Sequence, residues 1–225
     1  MTTEWAIRFK NLQMPPHVYM LNSNQPYDTA REGITRGVLS HGVKWLLHLD
    51  TDVLIPINAV PLMIEWAEKF NLPLLSGLYW AKKPKSTTGG VPMAAAWLKI
   101  GEKPEENRIE FAPLDVKPHM VNLPNKSPLV RCDVVGAGCL LIKADIFKKL
   151  DESNPNLPYF EWGLGRRDPT GKPLPQMSED FYFCMRCVKE LGINPHLAVA
   201  VQCDHICNAV KRGSDGEFEL LTLRG

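Results

Sequence analysis

The stretch VKWLLHLDTDVLIP, residues 43–56, decides how the rest of the chain is read. Apolar and aromatic side chains dominate its first seven residues, and the run then breaks into Asp50-Thr51-Asp52. That pattern predicts a strand buried on both faces whose end emerges at a sheet edge. Strand alternation places Asp50 and Asp52 on the same side, one small hydroxyl residue apart. Two carboxylates held so close repel, and a positive charge is needed to make the pair tolerable. A divalent cation with oxygen ligands, Mg²⁺ or Mn²⁺, supplies it and typically bridges carboxylates to substrate phosphates. Two solvated aspartates in a loop are the alternative.

Upstream of this stretch, Trp5, Phe9 and Leu12 sit at helical spacing, Pro15-Pro16 end that helix, and residues 17–21, HVYML, read as a strand. A helix over 27–40 follows, with Ala30, Ile34 and Val38 predicted to face inward. Downstream, Asn58 is a candidate cap for a third helix, with Pro61 in its first turn and Met63, Ile64 and Ala67 on its buried side. Residues 72–80 read as another strand. This alternation predicts an α/β fold with a mostly parallel central sheet and helices on both faces. Ligands of such sheets bind at the carboxyl ends of the strands, which is where Asp50 and Asp52 fall.

Residues 81–131 are less regular: Gly89-Gly90 mark a loop, and short segments at 94–100 and 108–111 predict an antiparallel flap. Residues 133–142, DVVGAGCLLI, predict an apolar strand whose glycines mark a bulge or the close approach of another backbone or a ligand. A short helix is expected over 144–150. The proline-rich loop over 151–177, with Phe160, Trp162, Gly163 and Gly165, has the length of a lid or binding loop. Ser178 reads as the cap of the next helix, with Glu179 and Asp180 in its first turn and Gly192 at its end. An apolar strand over 196–202 runs into Asp204-His205, and 218–221 is a candidate short strand.

The 225 residues suffice for one sizeable core, and no composition shift divides them, so a single domain over 1–225 is expected. A formal net charge of +1 gives no general case for nucleic acid. Basic clusters at Lys82-Lys83-Pro84-Lys85, Lys148-Lys149 and Lys211-Arg212 read as solvated surface, with contact to a phosphate-rich substrate or to an anionic membrane face as the sharper alternative. No apolar run approaches membrane-spanning length and no signal peptide is visible, so a cytoplasmic location is expected. Cys184, Cys187, Cys203 and Cys207 imitate zinc spacing. Yet Cys184, Cys187, Val188 and Leu191 share one apolar helical face, which predicts reduced core thiols and no stoichiometric zinc.

Four short motifs follow one another along the chain: Ala30-Arg31-Glu32; Leu49-Asp50-Thr51-Asp52; Gly136-Ala137-Gly138 with Leu140 and Ile142; and Ser178-Glu179-Asp180 with Arg186. Together, from Trp5 to His205, the chain resembles the GT-A glycosyltransferases, and among them the family-2-like nucleotide-sugar transferases. Glu32 stands where that family has Asn. The resemblance implies a GT-A fold and a nucleotide-sugar donor held by Arg31, Asp50 and Asp52, with Asp50 on the ribose or base side. It implies Mn²⁺ or Mg²⁺ ligated by Asp52 and His205 on the diphosphate. Gly136, Ala137 and Gly138 would lie under the acceptor, with Trp162 as a stacking surface for it. Asp180 would be the general base of an inverting transfer, with Glu179 orienting it or touching the acceptor. A glycan, a lipid, a protein or a nucleobase would each serve as acceptor.

The family's first strand is expected ahead of the helix holding Trp5, where the sequence has only Met1-Thr2-Thr3. Either that strand is missing or another segment fills its place. Two other classes compete. A nucleotidyltransferase on a related α/β fold would use the same carboxylates and release pyrophosphate, but its Gly-rich basic phosphate loop is not visible. A non-catalytic transferase-like binding module would keep the fold and lose part of the donor site.

Overall fold

A computed structural model describes residues 3–22, 25–81, 93–116, 118, 128–212 and 218–223, with residues 81, 207–212 and 218–223 described by backbone alone. In chain order, α1 (Thr3–Lys10) and α2 (Tyr27–Leu39) precede β1 (Trp45–Leu49) and β2 (Val53–Leu54). Then come α3 (Ala59–Lys69), β3 (Leu74–Leu78), β4 (Trp80–Ala81), β5 (Met93–Ala94), β6 (Ala96–Lys103) and β7 (Arg108–Pro113). The second half carries β8 (Leu129–Arg131), β9 (Val134–Val135), β10 (Cys139–Lys143), α4 (Asp145–Ser153) and α5 (Glu179–Leu191). It ends in β11 (His196–Gln202), β12 (Asp204–Arg212) and β13 (Phe218–Leu223).

The central sheet is mixed, in the order β1-β10-β3-β11-β8. Only the β3–β11 ladder is parallel; β1–β10, β10–β3 and β11–β8 are antiparallel. The expected mostly parallel sheet is therefore corrected. Helix α3 does return the chain from β1 to β3 in the same direction, as alternation predicts. It leaves a gap one strand wide, however, and β10 enters that gap the other way round. Nothing in the apolar run of residues 139–142 marks its direction, because a strand buried on both faces reads alike either way.

Side-chain alternation splits the core between the two faces of this sheet. Leu74, Leu140, Ile142, Leu197 and Val199 pack against α2, α4 and α5. On that side Phe147, Phe160 and Phe183 stack with centroid separations of 4.7 and 5.6 Å. Leu75, Leu141 and Ala198 face the opposite way, against Val60, Met63 and Ala67 of α3. Each large apolar side chain so buried contributes about 1.5–3 kcal/mol. The cysteines follow the same division: Cys184 and Cys187 lie in the first cluster and Cys203 in the second, so these three do not converge on one point.

Strands β6 and β7 form the expected antiparallel flap, which also pairs with β9. Strands β2, β12 and β13 make a separate three-stranded sheet. Gly192, at φ 65°, ends α5 as expected, the left-handed conformation that glycine adopts without cost. One local expectation is corrected: residues 17–21 form no ladder. Asn58 and Ser178 stand at the N-cap positions expected of them, without a side-chain capping bond. The Lys82–Lys85 cluster and Gly89-Gly90 lie outside the described residues. No helix among the described residues is long and apolar enough to cross a membrane.

Candidate functional site

The site begins where β1 ends. Asp50-Thr51-Asp52 is a turn rather than a continued strand, closed by a hydrogen bond from Val53 N to Asp50 O at 3.1 Å. The turn separates the two carboxylates that alternation had placed on one side. Asp50 faces Arg31, whose Nη2 donates to its Oδ1 and Oδ2 at 2.9 and 3.1 Å. Asp52 faces His205, with Oδ2 and Nε2 3.3 Å apart. The repulsion expected between them is relieved by two separate partners.

Arg31 reaches the site from α2, whose buried stripe is Asp28, Arg31, Thr35 and Val38. The apolar pattern had selected the neighbouring face; Ala30 and Ile34 are only half-buried and line a cleft. The Arg31 guanidinium is shared three ways. Besides Asp50, Nε donates to Glu179 Oε1 at 3.2 Å and Nη1 to Ala137 O at 3.2 Å. Burial alone would lower its pKa, but the charges of Asp50 and Glu179 more than offset this and raise it. Arg31 thus ties together the end of β1, the glycine turn before β10 and the start of α5.

Glu179 and Asp180 open α5. Burial pushes the Glu179 carboxyl above its ordinary range, aided by the charge of Asp180 and opposed by Arg31. Burial also raises Asp180, against the Ser178 hydroxyl, which donates to its Oδ1, and against the charge of Arg31. The Ser178 hydroxyl is therefore spent on a carboxylate instead of on the helix backbone. A raised pKa makes Asp180 a stronger base than a solvated aspartate.

Gly136 and Gly138 have a packing role the sequence did not disclose. A Cβ at Gly136 would lie 2.0 Å from Tyr79 Oη, and one at Gly138 would lie 2.9 Å from its Cζ. The buried Tyr79 ring fills the space the glycines leave, and its Oη accepts from Gly138 N at 3.1 Å. The same ring meets His205 edge-on, with centroids 5.6 Å apart.

His205 is brought to Asp52 by the β2–β12 ladder, in which it pairs with Val53. Its Nδ1 lies 2.9 Å from Trp80 O, a contact that only a protonated Nδ1 makes. Nε2 of the neutral ring then presents a lone pair to a carboxylate oxygen, and two such acceptors meet only through a proton or a cation. The hydrogen bond with Asp52 is the largest cause of a pKa raised above the ordinary histidine value. One imidazole and one carboxylate fit a cation that takes its remaining ligands from water and substrate oxygens. Among the described residues no group of three or more His, Cys, Asp and Glu assembles as a metal cage.

Asp50, Asp52, Arg31 and His205 line one end of a cleft of about 1220 Å³. Glu179 and Asp180 lie outside its lining and are reached through Arg31. Trp162 belongs to the long loop, which α2 holds down: Trp162 N donates to Asp28 Oδ2 at 3.3 Å and Arg166 Nη1 to the same atom at 2.9 Å. Glu32 accepts from Tyr159 N and Phe160 N at 2.8 and 3.2 Å. Asp28, Tyr79 and Arg166 escaped the sequence reading. The spacing of Asp28, Arg31 and Thr35 at i, i+3 and i+7 is the signal that marks such a buried polar stripe.

No family model matches this chain, and neither does any curated protein. Among solved structures, 28 chains match. One is the crystal structure of A197 from STIV, 16% identical, covering 89% of this chain and 78% of that one with a TM-score of 0.48.

Proposed function

We propose that this protein is a metal-dependent glycosyltransferase of the GT-A type, moving a sugar from a nucleoside-diphosphate sugar to an acceptor hydroxyl. The observation that carries the reading is the Asp52–His205 pair, 3.3 Å apart at one end of a 1220 Å³ cleft, with the other imidazole nitrogen committed to Trp80 O. Asp52 and His205 would hold Mn²⁺ or Mg²⁺, which supplies Lewis-acid neutralisation of a departing diphosphate. Asp50 is oriented by Arg31 toward the donor, and the Arg31 guanidinium acts as a clamp between donor side and acceptor side. Asp180, raised by burial, takes the proton of the acceptor hydroxyl as its oxygen attacks the anomeric carbon. Glu179 holds Arg31 in place beside it.

The test is thermal stabilisation by a panel of nucleotide sugars with and without Mn²⁺, since a ligand bound only by the folded state raises its melting temperature. Metal-dependent stabilisation, followed by release of nucleoside diphosphate with an acceptor, is the expected result. Release of pyrophosphate instead would assign nucleotidyl transfer. Stabilisation without any turnover across a broad acceptor panel would assign a binding module.

A further inference from the structure

Among the described residues the central sheet stops at β1. In the β1–β10 ladder Asp50 N donates to Gly138 O and Ala144 N to Lys44 O, both at 3.0 Å. Alternation then turns the backbone groups of Leu46 and His48 toward β10 and those of Trp45 and Leu47 the other way. Among the described residues no strand lies on that outer side. The apolar end of the cleft lies there, walled by Ile34 and Val38 of α2 and by Val60 and Ile64 of α3. Because α2 and α3 cover opposite faces of the sheet, the space between them beside β1 has the shape of a strand position.

Residues 17–21 also line this slot without joining a ladder. Their sequence, HVYML, is that of a strand, with a β-branched and an aromatic residue at its centre. Val18, Tyr19, Met20 and Leu21 are 45, 68, 43 and 68% exposed, an uncovered apolar run. Met20 already touches α2, where a Cβ on Gly37 would lie 2.6 Å from its Cε. The chain leaves this segment, forms α2 and returns as β1. Seating 17–21 beside β1 therefore completes a strand–helix–strand unit, whose parallel, right-handed form is strongly preferred.

We propose that residues 17–21 are a strap that seats in this slot as a sixth strand parallel to β1, and that the observed arrangement is its open form. Closure gives the outward backbone groups of Trp45 and Leu47 partners that an apolar slot does not otherwise offer. It also buries alternate side chains of the strap. The polar end of the cleft, at Asp50, Asp52 and His205, stays accessible.

Residue-resolved amide exchange on the full chain tests this. Closure is expected to slow the Trp45 and Leu47 amides by at least about tenfold relative to unstructured chain, with alternate amides of residues 18–21 slowed alongside. Uniformly fast exchange through residues 18–21, or fast exchange at Trp45 and Leu47, overturns the proposal. Val18→Pro and Tyr19→Pro have opposite strand parity, so only one of them removes a ladder donor. That one should restore fast exchange at Trp45 and Leu47 while Leu46 and His48, which face β10, stay protected. Equal behaviour of Trp45 and Leu47 in the wild type and both folded variants also overturns it.

Discussion

Arg31 and Glu179 stand 148 positions apart in sequence and meet at 3.2 Å between guanidinium Nε and carboxylate Oε1. Their side chains are 8% and 6% exposed, so the pair is desolvated and each charge depends on the other. Asp50 and the Ala137 carbonyl complete the guanidinium's partners. The end of β1, the turn before β10 and the start of α5 are therefore indexed to one side chain on α2.

Removing that side chain strands a buried carboxylate. Arg31→Met is expected to destabilise the fold by about 3–5 kcal/mol in urea unfolding, because breaking a buried pair costs more than the pair contributes. Adding Glu179→Gln should recover part of the loss by removing the uncompensated charge. A loss under about 1 kcal/mol would mean that the pair behaves as a surface contact.

The metal assignment is tested through Asp52 and His205. Asp52→Ala and His205→Ala should each abolish Mn²⁺ binding measured by titration in the presence of nucleoside diphosphate. The melting temperature of Asp52→Ala should hardly change, since that side chain is 53% exposed. His205 must be neutral to ligate, and its pKa lies above the ordinary value. Protons therefore displace the metal as pH falls through that raised value, and Mn²⁺ affinity should rise with pH between about 5 and 8. Affinity independent of pH across that window would remove His205 from the ligand set.

Asp180→Asn keeps the size of the side chain and an oxygen able to accept from Ser178. Transfer to the true acceptor should fall by about 10²–10⁴, with donor binding and melting close to wild type. Comparable turnover would sink the base assignment. Loss of folding would show instead that the carboxylate serves the start of α5.

Asp28 gives the long loop an acid-sensitive anchor. Burial raises its pKa, but hydrogen bonds from Thr29 N and Trp162 N and the charge of Arg166 together leave it below the ordinary value. A depressed carboxylate stabilises the fold above its unfolded pKa of about 3.9, and that contribution is lost as pH falls through the folded value. Limited proteolysis within residues 163–176 should therefore stay slow at neutral pH and accelerate only in acid. Asp28→Asn should show the acid behaviour already at pH 7, and unchanged cleavage in that variant would rule out the anchor.

Local pattern was enough to place α2, β1, α3, β3, the β6–β7 flap, α5 and β11 along the chain, because each carries its own apolar period and is bounded by Gly, Pro or charged residues. It was enough, too, to single out Asp50, Asp52 and His205, which follow apolar runs, whereas Glu179 and Asp180 read locally as the acidic first turn of a helix and stand out only through the resemblance to the GT-A motifs. The direction of β10 was not legible, because its buried run lacks polarity along the strand. Nor was the packing role of Gly136 and Gly138, which depends on a tyrosine at position 79 that only folding brings to them. The partners of the two aspartates were hidden for the same reason. A turn at Asp50-Thr51-Asp52 sends one carboxylate to Arg31 on α2, 19 residues away, and the other to His205 on β12, 153 residues away, and such pairing is a property of the assembled fold rather than of any stretch of chain.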